Sequence, residues 1–224
     1  MTVVVLDPGH QPSGADTGAS GNGLREQDVT LAICRELRPL LQYNSFTVVM
    51  TRDGDFVNGP HSTTLESLQT RVNIAENAKA DLFVSVHIDA FDGPASGQTV
   101  LIAGTGGRAE QAANKIYTQI NKVTGWPNRG VKVQNIMVLR ETSMPAILTE
   151  NGFITSPSDS AKLKDHKFIH SLAVAHCKGI CDYFGYDYKA LTVAPVIAPP
   201  TPPVVDKTAQ AIALIEQALK LMKG

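Results

Sequence analysis

Short apolar runs alternate along this chain with longer segments whose apolar residues recur at helical spacing, and that alternation leaves few folds open. Strand-like runs rich in Val, Ile, Leu and Phe lie at Val3–Leu6, Phe46–Thr51, Leu82–Val86, Thr99–Ala103, Ile136–Leu139 and Ala146–Thr149; such side chains suit a pleated, buried surface. Between them, Asp28–Leu41 sets Val29, Ile33, Leu37, Leu40 and Leu41 near one face, and Leu65–Ala80 does the same with Leu68, Val72, Ala75 and Ala78. Gly107–Val123 and His166–Phe184 predict further helices. Strands alternating with helices imply a layered α/β domain with a mostly parallel sheet.

Where those strands stop is as informative as where they run. Val3–Leu6 leads into Asp7-Pro8-Gly9-His10, Leu82–Val86 into His87, and Ala146–Thr149 into Glu150. In open α/β sheets, ligands and reactive groups gather beyond the carboxyl ends of strands, where loops converge above a packed sheet. Two histidines and a glutamate at strand ends, with Glu26 opening the first helix, have the composition of a catalytic zinc site. Such sites usually take three protein ligands and leave a fourth position for water. His10, Glu26 and His87 supply two neutral imidazoles and one carboxylate, which leaves one net positive charge on the site. Glu150 then remains as an unligated carboxylate able to take a proton from water. Glu26 has a second reading, as a carboxylate favoured by the dipole at a helix N-terminus, and the two readings are compatible. Gly14, Gly18, Gly21 and Gly23 either mark a flexible loop or let the backbone bend until Glu26 faces His10. Asp7 either hydrogen-bonds a ligand histidine from behind or caps a turn.

Composition sets the remaining bounds. With 224 residues, 43% of them hydrophobic, the chain can bury one full core, so one main domain with an appendage is expected. A net charge of -1 argues against a basic nucleic-acid surface. Cys34, Cys177 and Cys181 are too few for a disulfide framework and read as reduced, buried residues. No stretch approaches the roughly 20 apolar residues that span a bilayer. The first strand begins almost at Met1, without the charged and apolar regions of a signal peptide. That predicts synthesis in a host cytoplasm, with any action outside needing another exit. After Lys189 the composition changes: Ala190–Val205 has no charged residue and carries Pro195, Pro199, Pro200, Pro202 and Pro203, as an extended linker would. Ile212, Ile215, Leu219 and Met222 then form the stripe of an amphipathic helix, whose partner is expected to be a second copy, the main domain or a membrane. The expected division is 1–187, a linker over 188–205, and a helix over 206–224.

Taken in order, several of these segments carry a family resemblance. Leu6-Asp7-Pro8-Gly9-His10, Asp16-Thr17-Gly18-Ala19, Glu26 ahead of a helix, Thr51-Arg52, and Leu65 with Arg71 and Asn73 are followed by Ala80–His87, Arg129-Gly130-Val131-Lys132 and Val138–Ile154. Together they resemble the zinc-dependent N-acetylmuramoyl-L-alanine amidases of the type-3 family, over roughly residues 2–185. The resemblance implies a twisted six-stranded sheet with helices on both faces. It also implies one zinc ion held by His10, Glu26 and His87, Glu150 as catalytic acid and base, and bacterial peptidoglycan as substrate. The implied reaction cuts the amide between N-acetylmuramic acid and the L-alanine of the stem peptide. A phage endolysin, reaching the wall after release through the membrane, is the expected setting, and a sporulation-stage autolysin the next. A zinc peptidase cutting within the stem peptide and a non-catalytic wall-binding module are the rival classes. Two departures fall beside the ligands: Gln11-Pro12 replaces a customary pair of glycines, and Ile88-Asp89-Ala90 replaces Ala-Asn-Ala. Both are expected to line the cleft.

Other candidates are weaker. His166 and His170 are four apart on a helix, but Lys167 follows the first, so the His-Glu-x-x-His pattern is absent. Cys177 and Cys181 share a helix face and read as core. His61 sits in a polar segment and is expected to do nothing, and Gly104–Gly107 lacks the Lys-Ser/Thr of a phosphate loop.

Overall fold

The computed structural model describes residues 1–54, 57 and 61–191. Its strands are β1 (Val3–Pro8), β2 (Ser20–Gly21), β3 (Leu24–Arg25), β4 (Thr47–Met50), β5 (Leu82–Asp89), β6 (Gln98–Ile102), β7 (Asn128–Val133) and β8 (Ala146–Phe153). Its helices are α1 (Glu26–Tyr43), α2 (Thr64–Asn77), α3 (Arg108–Thr124), α4 (Met137–Arg140), α5 (Pro157–Leu163) and α6 (His166–Phe184). Six strands form one sheet in the order β4-β1-β5-β8-β6-β7, and β2 and β3 make a separate small hairpin. All neighbours in the large sheet run parallel except β6 and β8.

The core lies on both faces of that sheet. On one, Val5, Phe83, Ala146 and Leu148 meet Val72 and Ala75 of α2 and Val138 and Leu139 of α4. The other face carries α1, α3 and α6, packed on one another and on the central strands. Burial on both faces explains why the central strands read as continuous apolar runs rather than alternating ones. From β1 the chain passes through α1 to β4 at the edge, then returns through α2 to β5 on the other side of β1. The strand order therefore reverses between β1 and β5, and such a switch point opens a crevice at the strands' carboxyl ends. His10 and His87 stand on its two sides.

One strand expected from the sequence is misplaced. Ile136–Leu139 is not a strand: Met137–Arg140 is a single helical turn, with Val138 and Leu139 buried against α2. The sixth strand is β7, whose residues Asn128-Arg129-Gly130-Val131-Lys132-Val133 are half-buried or exposed. An edge strand with polar residues has no apolar run to announce it, whereas an apolar turn docking on a core imitates a strand. The strands bearing the candidate site also run on further than expected, so His87 and Glu150 lie within β5 and β8 rather than after them.

Met1–Ala190 forms one compact unit. Near its end, Lys189 donates its N–H to Asn44 Oδ1 at 2.7 Å, and Asn44 returns a hydrogen bond to the Lys189 carbonyl at 3.0 Å. The expected terminal helix and all but the first residues of the expected linker lie outside the described residues. Among the described residues no helix is long and apolar enough to cross a membrane.

Candidate metal centre and its carboxylate

His10 leaves β1 on a backbone bend that few side chains tolerate, with φ at +62°. Backbone of this kind costs on the order of 1–3 kcal/mol and persists where its surroundings over-determine it. Here two buried arginines do so. Arg71 donates to the carbonyls of Pro8 at 2.8 Å and His10 at 2.9 Å, and pairs with Asp7 and Asp16. Arg52 donates to the carbonyls of Pro8, Gly9 and Gln27 at 3.1, 3.0 and 2.6 Å. Carbonyls freed where the chain quits the sheet thus keep partners without water.

Glu26, the first residue of α1, is buried with both carboxylate oxygens engaged. Oε2 accepts the Ala19 N–H at 3.0 Å and Oε1 accepts the Ile88 N–H at 3.1 Å. The same Oε1 lies 3.2 Å from His10 Nε2 and 3.0 Å from His87 Nδ1. Two glycines make this convergence sterically feasible. A Cβ on Gly9 would stand 2.4 Å from the His87 ring, and one on Gly18 would stand 2.8–2.9 Å from atoms of Glu26 and His10. The loop glycine therefore serves the close approach of His10 and Glu26, rather than flexibility.

The donor set fits a metal ion. One ligand atom from each of His10, Glu26 and His87 can be chosen so that all lie within 4.8 Å of one another. Tetrahedral coordination at about 2.0–2.2 Å sets neighbouring ligand atoms about 3.3–3.6 Å apart, close to these spacings. The histidine rings meet edge to face with centroids 4.8 Å apart, and 24% and 18% of their side chains stay exposed, so the cradle opens to solvent. Asp16 Oδ1 lies 3.1 Å from His10 Nδ1, which orients the ring so that Nε2 points into the cradle. Burial opposes a charge on His10, but the bonds to Asp16 and Glu26 prevail and raise its pKa to about 9. Burial likewise acts against the charge on Glu26, and the two histidines hold its carboxyl well below the usual range. Without a cation between them these groups share protons; with one, they are ligands.

Glu150 is the opposite case. It pairs in register with His87, and the period-2 alternation of both strands sets the two residues on one face of the sheet. Its Oε2 is buried with no hydrogen-bond partner among the described residues. Burial first, and then the negative charges of Glu26 and Asp89, push its carboxyl well above the ordinary range. A half-buried carboxyl with one unpartnered oxygen, on the same sheet face as His87, is suited to exchanging a proton.

Comparison with known proteins shows the family. The profile of the N-acetylmuramoyl-L-alanine amidase family (Amidase_3) matches residues 4–182. The chain belongs to this amidase family. Across 182 residues it is 37% identical to the sporulation-specific N-acetylmuramoyl-L-alanine amidase of Bacillus subtilis, covering 80% of this chain and 67% of that one. It is 36% identical over 200 residues to the endolysin of Bacillus phage SPP1, with 86% and 70% covered. Among solved structures, the catalytic domain of the amidase CwlV from Bacillus (Paenibacillus) polymyxa superposes with a TM-score of 0.74 at 32% identity, over 84% of this chain and all of that one.

Against this amidase framework, several sequence expectations need correction. Asp7 reaches neither His10 nor His87 and caps no turn: it accepts from Thr51 at 2.6 Å, Ser85 at 2.7 Å and Arg71 at 2.6 Å inside the sheet. The carboxylate behind His10 is Asp16, whose position before Gly18 gave no such signal. Gln11 and Ile88 are buried and so do not line an open cleft, whereas Asp89 is half-exposed. A polar layer beneath Glu150 also went unread. Asn151 Nδ2 donates to the His87 carbonyl at 3.1 Å and to Thr149 Oγ1 at 3.0 Å, and buried His176 Nε2 lies 3.2 Å from that hydroxyl. His170 meets Glu36 at the surface, His61 meets the Val57 carbonyl, and the three cysteines are free and buried.

Proposed function

We propose that this chain is a zinc-dependent peptidoglycan hydrolase. It would cleave the amide between the lactyl group of N-acetylmuramic acid and the L-alanine of the stem peptide. The observation that carries this reading is the contrast between two glutamates at one cleft: Glu26 satisfied between two histidines, Glu150 half-buried with its buried Oε2 unpartnered among the described residues. The similarity to amidases acting on that linkage supports it.

His10 Nε2, His87 Nδ1 and a Glu26 oxygen would hold the ion. When bound, zinc supplies a Lewis acid that acidifies water toward a pKa of about 7, polarises the amide carbonyl and offsets oxyanion charge. Glu150 accepts the proton of the attacking water at its unpartnered Oε2 and delivers it to the departing alanine amine. A carboxyl lifted by burial can take and return a proton without a large penalty in either direction, and such help is worth roughly 10²–10⁴ in rate. Asp16 holds His10 in the tautomer that leaves Nε2 free, and Asn151 fixes the strand carbonyl of His87.

Mass spectrometry of peptidoglycan digested by the zinc-loaded protein tests this. New L-alanine amino termini on intact stem peptides are expected. A cut within the stem would make the chain a peptidase, and binding to sacculi without cleavage would make it a wall-binding module. For biological setting we favour host-cell lysis, supported by the phage endolysin relative; a sporulation amidase is the second reading, at nearly equal identity. Expression alongside a membrane-pore protein separates them: prompt lysis is expected of an endolysin.

A further inference from the structure

The edge strand β7 carries two exposed cations, Arg129 and Lys132, neither with a carboxylate in ion-pair contact among the described residues. An irregularity in the ladder sets where Arg129 goes. β6 and β7 pair Gln98 with Asn128 and then Val100 with Val131, so Arg129 and Gly130 together face the single residue Thr99. Thr99 in turn pairs with Glu150. Bulges of this kind re-aim a side chain and recur beside active sites. Gly130 takes φ of +79° there, and its N–H is held by the Tyr117 hydroxyl at 2.9 Å and Asn128 Oδ1 at 3.1 Å.

The re-aimed Arg129 lays its guanidinium over the Phe153 ring, 5.0 Å from the centroid. Phe153 is the register partner of Asp89, two residues beyond His87. A guanidinium held over a ring, with no carboxylate paired to it, keeps N–H donors for an incoming carboxylate. Lys132 pairs with Leu101, two positions from Thr99, so it shares the sheet face of Thr99 and Glu150.

Resting on the amidase reading, we propose that Arg129, with Lys132, binds the α-carboxylate of the second stem residue, the D-glutamyl unit after L-alanine, and so reads whether that group is free or amidated. The spans agree. Two strand spacings of about 4.8 Å separate Glu150 from β7, and one further stem residue extends about 3.5 Å. The arginine side chain closes the difference.

The test uses two soluble muropeptides, identical except that the α-carboxylate is free in one and amidated in the other. The zinc-loaded native chain is expected to show kcat/KM at least tenfold higher on the free form, chiefly through KM. Replacing both cations (Arg129→Ala with Lys132→Ala) should bring that ratio near one, with the larger loss on the free form, while the melting temperature stays close to native. Arg129→Lys should restore part of the preference. Equal kcat/KM on both forms by the native chain would overturn the inference and leave the amidase reading standing. Equal losses on both forms in the double variant would overturn it too, as would an unchanged ratio with weaker, salt-sensitive binding to sacculi, which would assign the cations to wall-polymer phosphates. Titrating both muropeptides into zinc-loaded Glu150→Ala protein gives the ratio of Kd without turnover. A ratio near one there overturns the inference even where hydrolysis itself fails.

Discussion

Glu26 and Arg71 on the β1 side of the cleft have counterparts in Glu150 and Arg129 on the β8 side, and the same residue types are used in opposite ways. On the β1 side every charge is answered. Glu26 contacts two histidines and two backbone N–H groups, and Arg71 is buried among two carboxylates and two carbonyls. On the β8 side, among the described residues, Glu150 keeps an oxygen without a partner and Arg129 has no carboxylate partner, only its cation–π contact with Phe153. Answered charges fix geometry; in the proposed reading, the unanswered ones serve substrate and proton. Two carboxylates driven apart in pKa by their surroundings divide into a structural and a reactive role.

The sharpest way to break this division is at the cradle. Glu26→Ala removes the carboxylate shared by both histidines, so zinc binding by calorimetry should vanish and hydrolysis with it. Retained zinc at native affinity would mean the cradle is elsewhere. The next effect is on folding. Arg71→Met strands Asp7 and Asp16 in the interior, and breaking a buried pair in this way costs about 3–5 kcal/mol, whereas Arg129→Ala at the exposed edge should stay within about 0.5 kcal/mol. Urea denaturation of both variants measures the difference, and equal losses would erase it. Gly9→Ala forces a methyl against the His87 ring. Overpacking of this sort costs about 1–3 kcal/mol, and zinc affinity should fall with it.

The smallest expected effect is on protons. His10 has its pKa raised from 6.5 to about 9 in the metal-free fold. Its protonated form therefore contributes stability below 6.5 that is lost as pH rises through about 9. Zinc needs the neutral ring, so uptake at neutral pH should release close to one proton, and the release should fade above about 9. Calorimetry in buffers of different ionisation enthalpy reads this directly. A constant release across that range would contradict the coupling of His10 to Asp16 and Glu26.

The central strands that carry the candidate residues were the more legible from sequence. Apolar runs mark β1, β5 and β8 because those strands are buried on both faces, and their ends announced His10, His87 and Glu150. What sequence did not disclose was the support. Asn151 acts through a hydrogen bond to a residue distant in the chain, and Asp16 reaches His10 only because the irregular loop between them folds back, which no apolar period encodes. The bulge that aims Arg129 lies in a polar edge strand with no apolar period, while the apolar turn at Met137–Arg140 looked more like a strand than β7 did.

The division of labour between the two glutamates is tested most directly in one protein. Zinc-loaded Glu150→Ala should bind zinc with native stoichiometry and affinity while its rate of releasing L-alanine amino termini from peptidoglycan falls roughly 10²–10⁴-fold. Native-like hydrolysis by that metal-loaded variant, or loss of its zinc, would contradict the account.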